Sequence, residues 1–182
     1  LEMIDTPTLD PGLANTIAAR SQMSFIDGAE GVLEYVGVDI DSLARQSTFE
    51  ETVFLLWNRR LPSAAELDAF QGQIRANSDL PAPMWDVIRT LPRDATPMHA
   101  LRTLASALGL FDPEADDSSA EANERKAIRL LARVPALIAN FDRHRKGADF
   151  VEPDVNQSMA GSFLTMLNGT APTETMARAF DI

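Results

Sequence analysis

The chain has 182 residues, a formal net charge of −11, 45% hydrophobic residues and no cysteine. At this size a chain buries roughly 70% of its unfolded surface, so it needs no metal or disulfide in order to fold. The missing cysteines exclude a disulfide scaffold, a thiolate nucleophile and a thiolate metal site, and they permit a reducing, cytoplasmic address. The acidic balance, with no basic run that offsets it, argues against nucleic acid as a partner. Apolar runs such as Val53-Phe54-Leu55-Leu56-Trp57 fall far short of the ~20 residues of a membrane span, so no membrane association is expected.

In chain order, the first eleven residues carry no periodic pattern and are expected to be disordered or tag-derived. Met23 to Ile26 and Val32 to Val36 are short β-prone runs around Asp27-Gly28-Ala29-Glu30-Gly31, which predicts a hairpin. Everything after Asp39 reads as helix. Asp41 is expected to cap a short helix through Arg45. Ser47-Thr48-Phe49-Glu50 has capping-box spacing and opens a helix whose core stripe is read as Phe49, Val53, Leu56 and Trp57. Ser63 to Glu66 is a second capping box, before Leu67, Phe70 and Ile74. A Pro-rich break at 80–83 precedes a short helix with Met84, Trp85 and Ile88.

Thr96-Pro97 is a cap followed by proline at the first helical position, where its missing N–H costs nothing. That helix runs through Leu101, Leu104 and Leu108 to Gly109. Ser118 to Glu121 opens the longest helix, which ends at Lys146-Gly147 and is expected to kink at Pro135. Its last turn, Arg143-His144-Arg145-Lys146, places positive charge where the macrodipole favours it. Another helix carries Met159, Phe163, Leu164, Met166 and Leu167 to Asn168-Gly169, and a final one follows Thr173. It reaches Ile182 with no stop signal, so the natural polypeptide is expected to continue.

Chemistry is sparse. His99 falls on the helix side of Arg102, Thr103 and Ser106, away from the leucines, with no carboxylate one turn away to orient it; it reads as a surface residue. His144 reads as structural. One histidine in each of two distant elements does not make a metal site. Gly28-x-x-Gly31 lacks the lysine and spacing of a phosphate loop, and the acids of 114–117 read as a solvated loop, with no calcium-loop pattern. No residue is therefore assigned as catalytic, cofactor-binding or metal-ligating.

In order, the segments nevertheless resemble a known family. Ser24 to Ile40 (S-F-I-D-G-A-E-G-V-L-E-Y-V-G-V-D-I) is similar to the N-terminal hairpin of citrate synthases. Ser47-Thr48-Phe49-Glu50-Glu51, Leu55-Leu56, Leu61-Pro62, Pro97-Met98, Leu101-Arg102-Thr103, Phe111-Asp112-Pro113, Ala132-Arg133-Val134-Pro135 and Ala160-Gly161-Ser162-Phe163-Leu164 continue the likeness over residues 12–182. Val36 departs from the family's usual Arg, and Thr96 from its usual His. The resemblance implies an all-α fold with a short N-terminal β-hairpin, the first half of a multi-helical citrate-synthase-like large domain. It implies that the whole enzyme condenses acetyl-CoA with oxaloacetate to citrate and CoA, with no permanently bound cofactor. There an aspartate takes a proton from the thioester's methyl group while a histidine stabilises the enol, in a cleft closed to water. The family's H-A-x-H, P-L-H-G and G-F-G-H histidines and its late aspartate find no counterpart here; they are expected beyond Ile182. A homodimer is expected through the helices near 97–109 and 119–146. A 2-methylcitrate synthase using propionyl-CoA, a non-catalytic truncated homologue and one subunit of a split enzyme are the alternative expectations.

Overall fold

A computed structural model describes residues 21–182; the expectation for residues 1–11 lies outside them. The hairpin is present: β1 (Ser24–Asp27) pairs antiparallel with β2 (Val32–Tyr35). A third, two-residue strand that the sequence pattern did not announce, β3 (Val38–Asp39), pairs with β2. The connection is the two-residue turn Val36-Gly37, with φ of 52° and 77°. Two consecutive positive φ values are the mark of a type I′ turn, whose twist suits antiparallel strands. Glycine adopts them freely, whereas a β-branched valine does not. Val36→Asn is accordingly expected to stabilise the fold by about 1 kcal/mol, since Asn tolerates the left-handed region. Urea denaturation measures it; a loss of stability would contradict the assignment.

Eight helices follow among the described residues: α1 (Ile40–Gln46), α2 (Phe49–Asn58), α3 (Ala64–Ala76), α4 (Ala82–Thr90), α5 (Pro97–Leu108), α6 (Ala120–Lys146), α7 (Met159–Asn168) and α8 (Glu174–Asp181). A single 3₁₀ turn, Gly109–Phe111, extends α5. Three caps sit elsewhere than read from sequence, one of them at α6, where Ser119 accepts the Ala122 N–H in place of the Ser118–Glu121 pair. Asp39 caps α1 in place of Asp41, because its carboxylate accepts from both the Asp41 and Ser42 N–H groups. Thr48 and Glu51 form the capping box of α2, one residue beyond the Ser47–Glu50 pair. The Ser63–Glu66 box stands as expected.

The α2 stripe also differs. Phe49 and Trp57 are 41% exposed, and the buried face is Glu50, Phe54 and Leu55. Phe54 meets Phe70 of α3 edge-on at 5.7 Å, and the half-exposed Trp57 meets the same ring edge-on at 5.7 Å.

The core gathers around α6, which packs against α3, α4, α5 and α7 and stays helical across Pro135. A helix with neighbours on several sides must be slim, and Ala122, Ala136 and Ala139 of α6 are fully buried. Met84 and Ile88 of α4, Leu104 and Leu108 of α5 and Leu137 of α6 fill one cluster; Phe54, Phe70, Ile74, Ile128 and Ala132 fill the other. Leu55, Met84, Ile88, Leu104 and Leu137 are the largest wholly buried apolar side chains, and each removes roughly 2 kcal/mol worth of apolar surface from water.

Candidate functional site

Each sequence-flagged residue has a definite place. His99 is exposed on α5 beside Arg102, Thr103 and Ser106, which are exposed too. His144 is buried, and its Nε2 lies 2.8 Å from the Leu91 carbonyl. A carbonyl only accepts, so this nitrogen carries a proton and is committed to joining the end of α4 to the end of α6. The two histidines are not brought together with any nucleophile. Among the described residues no three His, Cys, Asp or Glu side chains converge as a metal site would require. No described helix is long and apolar enough to cross a membrane.

Buried polar groups that the sequence did not reveal act as braces. Glu50, only 3% exposed, accepts the Met159 N–H with Oε1 at 3.3 Å, so its negative charge faces the start of α7. Asn140 is wholly buried: its Oδ1 accepts from Val151 N–H at 2.9 Å, and its Nδ2 donates to the Val151 and Ala136 carbonyls at 2.9 and 3.0 Å. Only their distant backbone partners give these residues their roles, which is why local spacing held no signal for them.

Glu114 differs from its reading as a solvated loop acid. Arg125 and Arg129 both pair with it, and Arg129 also grips Asp112 at 2.8 Å. The hydrogen bond from Arg125, then that from Arg129, holds the Glu114 carboxyl down to about 2, against an ordinary 4.5. The Arg60 guanidinium, then Ser63, likewise holds Glu66 well below the usual range. Because the folded-state values are depressed, the stabilisation is complete above about pH 4.5 and is lost as the pH falls towards 2. Thermal melts from pH 6 to 2 are expected to show a falling midpoint that Glu114→Gln makes shallower. An unchanged slope would contradict the pairing.

Several concave regions line the described residues, and two of them are roomy. One, of about 740 Å³, is bordered by Trp57, Arg59, Arg60 and Glu66. The other, of about 390 Å³, is an apolar groove walled by Phe49, Ile138, Met159, Phe163, Phe180 and Ile182. Its single acid, Asp181, is engaged with the Phe49 N–H and with Arg178. Neither region pairs a carboxylate with a nucleophilic side chain.

Comparison with known proteins decides the family. The family model described as "Citrate synthase, C-terminal domain" matches residues 12–182. The chain belongs to the citrate synthase family. It is 44% identical over 178 residues to a citrate synthase of Haloferax volcanii, covering 96% of this chain and 47% of that protein. A citrate synthase of Deinococcus radiodurans is 40% identical over 171 residues, covering 94% and 45%. Among solved structures, the citrate synthase of Pyrobaculum aerophilum superposes with a TM-score of 0.87 at 32% identity, covering 94% of this chain and 45% of that one. The mostly helical architecture with its small N-terminal sheet is thus that of citrate synthases. The chain spans about half the length of the curated relatives it matches.

Proposed function

We propose that the chain is the leading part of a citrate synthase that joins acetyl-CoA to oxaloacetate, giving citrate and CoA, and that within it this segment is scaffold. The observation that carries this reading is the match over residues 12–182 together with 44% identity to a citrate synthase across 96% of the chain. Placement at the front of the polypeptide rests on the order of the motifs, the hairpin coming first, since the matched model is described as a C-terminal domain. No cofactor is needed beyond the thioester substrate. The proton-moving histidines and aspartate belong, on this reading, to polypeptide outside the 182 residues.

Dimerisation through α5 and α6 is part of the same proposal. Met98 of α5, Leu110 just beyond it and Leu130 of α6 are 67%, 82% and 46% exposed, which leaves apolar side chains on or beside both helices for a partner to cover. A cytoplasmic location is expected for an enzyme that works on these soluble metabolites.

Product analysis on the whole polypeptide tests the reading. With oxaloacetate present, acetyl-CoA should be consumed in preference to propionyl-CoA, with citrate the product, and the enzyme should run at twice the mass of its chain. A preference for propionyl-CoA would replace the substrate, and a monomer would remove the proposed interface.

A further inference from the structure

A smaller concavity, of about 200 Å³, lies where the C-terminal end of α5 meets the middle of α6. Ala105 and Leu108 of α5 and Leu130 of α6 give it an apolar wall, and Lys126, Arg129 and Arg133 of α6 give it a cationic one. The three cations are spaced three and four residues apart, so they stand on one face of the helix. This is a local reversal of sign in a chain whose formal net charge is −11.

Arg129 is engaged at all three of its nitrogens. It donates to both Asp112 oxygens, from Nε at 3.0 Å and Nη2 at 2.8 Å, and its Nη1 lies 2.9 Å from Glu114. Asp112, the one acid on the pocket wall, is neutralised by the same contact. Lys126 donates from Nζ to the Asp117 carbonyl, which carries no full charge. Arg133 donates from Nε to the Asp79 carbonyl at 3.0 Å, and among the described residues no carboxylate pairs with its guanidinium. Burial, then the neighbouring Arg129, pulls the Arg133 pKa below its ordinary value, and the more distant Asp112 and Asp79 charges offset this only in part. A part-buried cation pushed by another cation is unfavourable until an anion joins it. The Nε bond orients the guanidinium and leaves its two Nη groups as donors, an arrangement suited to two oxygens side by side.

We propose that this pocket binds a short-chain carboxylate, with its oxygens on Arg133 and Lys126 and its carbon chain on Ala105, Leu108 and Leu130. Size sets an upper limit on the ligand. At about 30 Å³ per water, the space holds about seven water volumes, far too little for a nucleotide or a CoA thioester. The apolar wall selects against phosphate. A guanidinium accepts either anion, but only a carboxylate with a carbon chain removes that wall from water. Leu130 also belongs to the face proposed above for dimerisation, so the site sits against that interface. Binding here does not depend on which reaction the enzyme performs.

Titration of the whole polypeptide with butyrate, followed by NMR saturation transfer from the protein to the butyrate methyl group, tests this. A dissociation constant of about 1 mM is expected, with inorganic phosphate about tenfold weaker as a competitor. Arg133→Gln is expected to weaken butyrate binding about tenfold, and Lys126→Gln about threefold. Ala105→Leu keeps every charge and fills the apolar wall, so it should abolish binding. A parent that shows no saturable binding overturns the proposal; that is also the result if an acidic side chain of a second copy fills the pocket. Binding that Arg133→Gln leaves unchanged places butyrate elsewhere and overturns it as well. Phosphate as tight as butyrate refutes the carboxylate class. If Arg133→Gln does not fold, Ala105→Leu decides the matter: lost affinity supports the pocket and retained affinity refutes it.

Discussion

Asn140→Leu is expected to destabilise the protein by about 3 kcal/mol, more than a surface substitution of any kind. The two side chains are close in size, so no cavity opens, and the loss is one of hydrogen bonds. Leucine leaves the Val151 N–H and C=O without the two partners they have at 2.9 Å, in a region where Asn140 itself has no solvent exposure. Each unpaired backbone group there costs about 1–3 kcal/mol. The segment from Gly147 to Pro153 would then lose one of its ties to α6, keeping the Arg143 bonds to Ala148 and Asp149, and the seat of Phe150, which packs at 5.6 Å from Trp85 of α4, would loosen. Urea denaturation should show a lower midpoint with an unchanged slope, and the thermal midpoint should fall by roughly 6–12 °C. A change below about 1 kcal/mol would mean that water takes over the Val151 bonds and that the brace is dispensable.

Much of the architecture was legible because helix ends are written locally. The Ser63–Glu66 box, Pro97 at the first position of α5 and Thr173 at helix starts, and Gly147 and Gly169 at positive φ past helix ends, all act through neighbours within a turn, whereas Thr96 makes no side-chain capping bond. The small errors have the same origin. Asp39 and Asp41, or Ser47 and Thr48, are chemically equivalent choices, and only the entry angle of the chain selects between them. The stripe on α2 failed for a different reason. A helix with apolar residues all round does not declare which of them faces the core, and Phe54 and Trp57 of α2 both reach the Phe70 ring.

What the sequence withheld is long-range polar pairing. Glu50 with Met159, Asn140 with Val151 and Arg178 with the α1–α2 junction are unremarkable residues until their partners come close. Glu50 could be read as one more acid in a first turn, and Arg178 as a solvated cation on an amphipathic helix. His99 is exposed, as read, and the buried His144 meets the Leu91 carbonyl. The family was legible by motif order, and the comparisons bear it out across residues 12–182.

The central claim is that these helices are scaffold and that the groups which move protons lie elsewhere in the enzyme. Condensation requires a base at the thioester methyl group, a donor at the forming enol and a site closed to water. Of the two histidines, His99 stands alone in solvent and His144 has its Nε2 proton directed to Leu91. The apolar groove beside α8 contains one acid, already held by Phe49 and Arg178. Enzymic acceleration of about a millionfold or more should therefore be absent in full from the segment. Release of free CoA from acetyl-CoA and oxaloacetate, followed with the purified 182-residue chain, is the direct measurement. The account predicts the uncatalysed rate whatever the protein concentration, beside rapid release by the whole polypeptide. Release that rises in proportion to the concentration of the 182-residue chain alone would contradict it.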